Sequence, residues 1–155
     1  MLKTNKKILG LDYGDKSIGL SLYDIETDFF SPYKTIYRDR KNIIRKSIRE
    51  IVDIIIKNNV SIVVLGMPLN EDGSENERCK LTREFKELLN KRLIDSGVCD
   101  VKIDFINEFN TTYEAKEYMK EYGFNDEDIK KNIDTISSLV ILKDYINMRE
   151  NENGK

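Results

Sequence analysis

The chain has 155 residues, with 26 Lys and Arg against 28 Asp and Glu, a formal net charge of −2. That length suits one domain with a sizeable core, and 39% hydrophobic content with 8 Gly and 2 Pro argues against long disorder. There is no histidine, which excludes Ser-His-Asp and Cys-His hydrolases and any His-ligated zinc site.

Lys7 to Gly14 (KILGLDYG) reads as a short buried strand ending at a glycine. Ile18 to Tyr23 (IGLSLY) reads as a second, and the tight turn Tyr13-Gly14-Asp15-Lys16 between them predicts a hairpin. Phe29 to Tyr37 contains a third extended segment, with Pro32 marking an edge or an irregular start. Ile43, Ile44, Ile48, Ile51, Val52 and Ile55 recur at helical spacing and predict an amphipathic helix over 41–58. Ser61 to Gly66 (SIVVLG) is a continuous apolar run, the pattern of a strand buried on both faces. A polar loop, Met67 to Asn76, leads to a second amphipathic helix over 77–96, with Leu81, Phe85, Leu88, Leu89 and Leu93 inward. Val101 to Ile106 is the fifth strand. Thr111-Thr112-Tyr113-Glu114 matches a capping box, and the helix it opens should end near Tyr122. Phe124 to Lys131 reads as a polar link, Ile133 to Met148 as a well-buried last helix, and Asn151 to Lys155 as a polar tail.

A hairpin followed by helix-linked strands predicts an α/β fold: one domain, residues 1–150, with a mixed sheet and helices on both faces. The expected strand order is 3-2-1-4-5, with the first strand central. The apolar runs are far shorter than the ~20 residues of a membrane span. Lys3, Lys6 and Lys7 precede an apolar run cut by Asp12, which argues against a secretory leader. Cys79 and Cys99 form no CxxC pattern, which favours a reducing, cytoplasmic setting.

Without histidine, carboxylates are the first place to look for chemistry, and hard oxygen ligands point to Mg²⁺ or Mn²⁺. Asp12 interrupts an otherwise apolar strand, where a carboxylate needs a metal, a cation or hydrogen bonds. The plainer reading is that it opens the turn at Tyr13-Gly14. Glu108 follows the fifth strand, at the sheet end where ligands collect in α/β folds; the plainer reading is a solvated loop acid. Asp134 sits at the mouth of the last helix, where an N-cap is the plainer reading. With the fourth strand between the first and fifth, the Asp12 and Glu108 backbones would stand roughly 10 Å apart, and Asp134 could close the site from above. Converging acids repel unless a cation lies between them, and a two-metal site suits phosphodiester hydrolysis.

Four motifs then resemble one family. Ile8 to Leu22 (ILGLDYGDKSIGLSL) resembles the opening motif of the YqgF/RuvX family, apolar-Gly-x-Asp-x-Gly-x-Lys-Arg-Ile-Gly. Val64 to Asn76 (VLGMPLNEDGSEN) resembles its Gly-x-Pro-Leu-x-x-x-Gly-Ser loop. Ile106 to Ala115 (INEFNTTYEA) resembles its Asp-Glu-Arg-x-Ser/Thr-Thr-x-Glu-Ala motif. Asp134 to Tyr145 (DTISSLVILKDY) resembles its final helix. The resemblance implies an RNase H-like fold, similar to Holliday-junction resolvases of the RuvC type. It implies a nuclease that matures the 5′ end of pre-16S rRNA in ribosome biogenesis, or a resolvase of four-way DNA junctions. It carries over Asp12, Glu108 and Asp134 as the catalytic, Mg²⁺-binding acids. Phosphate contacts are implied for Gly14, Lys16, Gly73 and Ser74. The partner is nucleic acid, with no membrane, and the protein a monomer or weak dimer.

The chain departs from the family where Arg would follow Lys16, which is Ser17 here, and where Arg would follow the catalytic Glu, which is Phe109. Losing two cations beside a polyanion bears on activity and substrate preference. Asn107 stands where the family has Asp. RNase H-like enzymes often draw the second acid from the strand beside the first, which makes Glu71, Asp72 and Glu75 alternatives to Glu108. From Lys34 to Lys57, eight basic residues (Lys34, Arg38, Arg40, Lys41, Arg45, Lys46, Arg49, Lys57) face three acids (Asp39, Glu50, Asp53), a balance of +5. That stretch reads as a nucleic-acid face or a solvated helix face. The rival functions are a non-catalytic nucleic-acid or ribosome-assembly module and a small-molecule phosphotransferase of the actin/sugar-kinase type. The chain is short for the two lobes of the latter.

Overall fold

The computed structural model describes residues 5–37, 43–108 and 111–153. Phe109 and the stretch Arg38 to Lys41 lie outside these residues. In chain order the elements are β1 (Lys7–Tyr13), β2 (Ser17–Asp24), β3 (Phe29–Tyr37), α1 (Ile43–Lys57), β4 (Val60–Pro68), α2 (Glu77–Asp95), β5 (Lys102–Glu108), α3 (Thr111–Glu121) and α4 (Asp126–Asn153). The sheet order is β3-β2-β1-β4-β5, as the sequence predicts.

β1 and β2 pair antiparallel from Lys7↔Asp24 to Tyr13↔Ile18, and the Gly14 amide closes their turn on the Ser17 carbonyl at 2.9 Å. β3 adds antiparallel at the edge. Its register shifts where Leu20 faces Lys34 and Ser21 faces Pro32, so one residue is extra there. An edge bulge is where a strand tolerates a proline that cannot donate to the ladder. β4 and β5 pair in parallel out to Pro68↔Glu108. The ladder carries both strands two residues past their apolar runs, so Glu108 ends β5 rather than following it.

Alternation sorts the strands onto two cores. Leu9, Leu11, Ile18, Leu20, Val63 and Leu65 pack beneath α1 and α2, against residues such as Ile51, Ile55, Phe85 and Leu89. Ile8, Tyr23, Val64 and Ile106 face the other way, beneath Ile141, Leu142, Tyr145 and Ile146 of α4. On that second face a Cβ at Gly10, Gly19 or Gly66 would collide with Leu142, the Asp134 carbonyl or Ile141. The bare backbone lets α4 lie close on the central strands.

Two further expectations are overturned. Leu88 of α2, expected inward, is exposed, because the buried stripe of that helix runs through Cys79, Thr82, Phe85, Leu89 and Leu93. Phe124 to Lys131 is not a link: α4 begins at Asp126 and runs through Asn153, taking in most of the expected tail. Asn125 caps it, its side-chain oxygen accepting from the Asp128 amide at 2.8 Å. Asp126, Glu127 and Asp128 fill the first turn, where the helix dipole favours acids. Ile129 is buried and holds that turn down. Asp134 therefore lies in the body of the helix and is no N-cap.

Candidate active site

Asp12 is the sixth residue of β1 and points to the α4 side, as do Ile8 and Gly10 before it. Opposite it in the hairpin is Gly19. Because Gly19 has no side chain, the α4 backbone at Asp134 seats directly over β2. Two residues 122 positions apart in sequence are thereby brought together. The consequence is electrostatic: burial and then the neighbouring Asp134 carboxylate push the Asp12 carboxyl up from 3.8 to about 6, while the Arg78 guanidinium acts in the opposite sense. Asp134 is held by a 2.6 Å hydrogen bond that the Ser17 hydroxyl donates to its Oδ2. Ser17 thus does a job of its own at the position where the family carries Arg: it orients an acid.

Glu108 is buried, with 6% of its surface exposed. It shares the α4 side of the sheet, since it pairs with Pro68 while Ile106 pairs with Gly66. Its Cγ would lie 3.5 Å from a Cβ at Gly66. β4 separates β1 from β5, and Asp12 is level with Gly66 and Ile106 while Glu108 lies two residues further along, so their backbones stand about 10 Å apart across the sheet and about 7 Å along it. Among the described residues no three acids are gathered closely enough to ligate one ion. Asp134 is the acid whose charge acts on Asp12, and Glu108 flanks the two on the same face.

The donor set nonetheless suits a hard divalent cation. Two crowded carboxylates, one of them holding its proton to about pH 6, are what a cation between them relieves. Ser137, one turn along α4 from Asp134, adds a buried hydroxyl with no hydrogen-bond partner among the described residues.

Two of the alternative acids are committed elsewhere. Asp72 accepts from the Ser74 amide at 2.9 Å and from its hydroxyl at 2.5 Å, which holds its carboxyl below the usual range. Glu75 is paired with Arg83 and is likewise lowered. Glu71 is exposed. The 69–76 loop is closed on itself, the Gly73 amide donating to the Asn70 carbonyl at 2.9 Å. The amides of Gly14, Gly73 and Ser74 are therefore used inside their own turns, and among the residues expected to meet phosphate Lys16 presents an exposed cation.

Sequence reasoning missed Arg78. From the first turn of α2 it reaches back to the hairpin turn, donating to the Tyr13 carbonyl at 2.7 Å and pairing with Asp15. Nothing in the local pattern signals this, because its partners lie 63 and 65 residues away. The described residues of the basic stretch, by contrast, do not reach the acids. Lys34 lies on β3 and pairs with Glu50, and on α1 Arg45 and Arg49 join Lys91 and Arg92 of α2 around a cleft of about 550 Å³. That cleft is on the opposite side of the sheet from α4.

Comparison with known proteins agrees with this architecture. A protein named a pre-16S rRNA nuclease from Lachnospira eligens is 32% identical over 93% of this chain and 99% of its own length. One of the same name from Agathobacter rectalis is 30% identical over 94% of this chain and 97% of its own. Among solved structures, the fowlpox virus Holliday junction resolvase superposes with a TM-score of 0.57 at 18% identity, over 92% of this chain and 98% of that one. Thermus thermophilus RuvC in complex with a Holliday junction substrate gives 0.54 at 10% identity, over 93% and 96%. The fold is thus the RNase H-like one of the RuvC-type resolvases. Residues 6–148 match the family described as RuvX, Holliday junction resolvase, and the chain belongs to that family.

Proposed function

We propose that this protein is a metal-dependent nuclease that hydrolyses phosphodiester bonds, and that it acts in the 5′ processing of pre-16S rRNA during ribosome biogenesis. The observation that carries this reading is the Asp12–Asp134 pair, two carboxylates held together on the α4 side of the sheet with Asp12 raised to about 6. The choice of RNA is supported by relatives named pre-16S rRNA nucleases that this chain matches over nearly their whole length.

Asp12 and Asp134 would hold Mg²⁺ or Mn²⁺, with Glu108 completing the set from β5. An ion of that kind supplies Lewis acidity at the scissile phosphate and lowers the pKa of water. The protein's own groups do the rest. Ser17 fixes the rotamer of Asp134. Arg78 ties the hairpin turn to the start of α2, which steadies the exposed Lys16 as a phosphate contact. Burial of Glu108 keeps solvent from that side of the site. Such a substrate puts the protein in the cytoplasm, and no described helix is long and apolar enough to cross a membrane.

The test is cleavage of a precursor rRNA leader and of a four-way DNA junction, each with Mg²⁺, with Mn²⁺ and with EDTA. The leader should be cut only with metal, and Asp12→Asn should not cut it. Preferential cutting of the junction would make the protein a resolvase. No metal-dependent cleavage of either substrate would leave a binding module.

A further inference from the structure

A groove of about 440 Å³ lies between β3, α3 and α4, away from the acids. Phe30, Tyr118, Tyr122 and Phe124 wall it, and Lys143 stands within it. Tyr118 and Tyr122, one helical turn apart, have ring centroids 4.8 Å apart and tilted at 45°. Tyr122 is 67% exposed and Phe124 46%. The Lys143 ammonium sits 5.1 Å from the Tyr118 centroid and 5.8 Å from that of Phe30. No carboxylate is among the residues described as lining the groove.

The chemistry of this surface is specific. Rings left in water and grouped together mark a contact surface. A ring face accepts another flat, polarisable group. A lysine braced on two rings, with no acid in the groove to neutralise it, attracts an anion. A nucleotide offers both, a base to stack and a phosphate to pair, and single-strand sites combine these two features. Position favours the same ligand. α4 contributes Asp134 to the acid pair and, from two residues further on, lines the groove from Ile136 to Lys143. Those eight helical residues span about 10 Å, the length of about three stacked nucleotides at roughly 3.4 Å each.

We propose that this groove is a stacking site for unpaired nucleotides flanking the cleavage point, so that the substrate is an RNA with a single-stranded segment beside the cut. This deepens the nuclease reading and rests on it for the strand's identity. Lys143 contacts the phosphates of that segment. Tyr122 and Phe124, the most open rings, carry the stacking.

Binding of a labelled short oligouridylate and of a blunt RNA duplex, followed by fluorescence anisotropy in EDTA, tests this without any need for cleavage. Tyr122→Ala and Phe124→Ala should each weaken oligouridylate binding by about 5- to 100-fold. Tyr122→Phe, which keeps the ring, should bind within about twofold of wild type. Lys143→Gln should weaken binding and flatten its salt dependence by about one counterion. Duplex binding should be unmoved by all four. Thermal melting of each variant establishes that it is folded; the exposed rings contribute little to the core. The proposal is overturned if wild type does not bind oligouridylate, if the folded alanine variants bind it as wild type does, or if duplex binding falls equally. It is also overturned if sedimentation shows a dimer that Tyr122→Ala dissociates, since the groove would then seat a second copy. Cleavage by Tyr122→Ala that is equal on leaders with and without an unpaired flank would leave the nuclease reading intact and remove this one. Loss of cleavage in the metal assay with stacking retained would do the reverse.

Discussion

At the scale of single residues the raised carboxyl of Asp12 has a measurable thermodynamic cost. A folded-state pKa of about 6 against an ordinary 3.8 means that the metal-free native state binds the proton more tightly than the unfolded chain. The stabilisation is complete below about pH 4 and is lost as pH rises through 6, a loss of about 3 kcal/mol. Asp12→Asn carries no such proton, so in urea titrations without metal it should exceed wild type in stability at pH 7.5 and match it near pH 4. Mg²⁺ should raise the melting temperature of wild type and not that of Asp12→Asn; equal shifts would count against a site at Asp12. Removing the guanidinium with Arg78→Gln takes away the one influence that lowers Asp12, so the acid limb of the cleavage–pH profile should move to higher pH. Ser17→Ala frees Asp134 Oδ2 and should cost about 1 kcal/mol of stability. Cleavage should slow about tenfold as the acid loses its orientation.

At the scale of elements the hairpin and α4 matter most. At Gly19 a Cβ would meet backbone atoms of Asp134 and Thr135, which cannot rotate aside. Gly19→Ala should therefore cost about 2 kcal/mol or more and displace Asp134. A melting curve beside a cleavage assay would show both losses together, whereas stable protein without cleavage would place the damage in the site alone. Asn125→Ala should cost about 1 kcal/mol by uncapping α4, with faster amide exchange confined to its first two turns. These elements were unequally legible in sequence. Apolar alternation and the Asp-x-Gly turn announce the β1–β2 hairpin, and Pro32 announces an edge irregularity. The start of α4 was hidden because its first two turns carry just two apolar residues, Ile129 and Ile133, among eight positions. A cap and a dipole-matched acidic turn stabilise that stretch, and neither produces hydrophobic periodicity.

At the scale of the whole molecule, the arginine-rich cleft and the acid pair lie on opposite sides of the sheet. The Arg45, Arg49, Lys91 and Arg92 cleft lies beyond α1 and α2, and Arg92 is 92 − 78 = 14 residues, about 20 Å, along α2 from Arg78. Arg45→Ala with Arg49→Ala should leave cleavage within about twofold of wild type; a large loss would mean that the substrate wraps the molecule. Asp12→Asn, Glu108→Gln and Asp134→Asn should each abolish cleavage about as fully as any two together, if the acids act as a unit. Near-normal cleavage by Glu108→Gln would return attention to Glu71, Asp72 and Glu75. The acids could be named from sequence because each stands within a motif. What joins them could not. Arg78 to Tyr13, Ser17 to Asp134 and Gly19 beneath α4 are contacts between distant stretches, set by strand order and helix placement and not by local pattern.

α4 is bonded to the sheet at two places within its body. Toward its start, Asp134 and Thr135 engage Ser17, Ser21 and Thr35 of β2 and β3. Eleven residues on from Asp134, the Tyr145 hydroxyl donates to Asp104 of β5 at 2.5 Å. The helix is thus a crossbar pinned to strands at opposite margins of a twisted plate. Asp12, on β1, stands between the pins and Glu108 shares β5 with Asp104, so the gauge between the two acids is set by how far the plate is free to flex. Tyr145→Phe pulls one pin, the bond to Asp104, while leaving Asp12, Glu108 and Asp134 in place, and the width of the gap becomes a property of the bar.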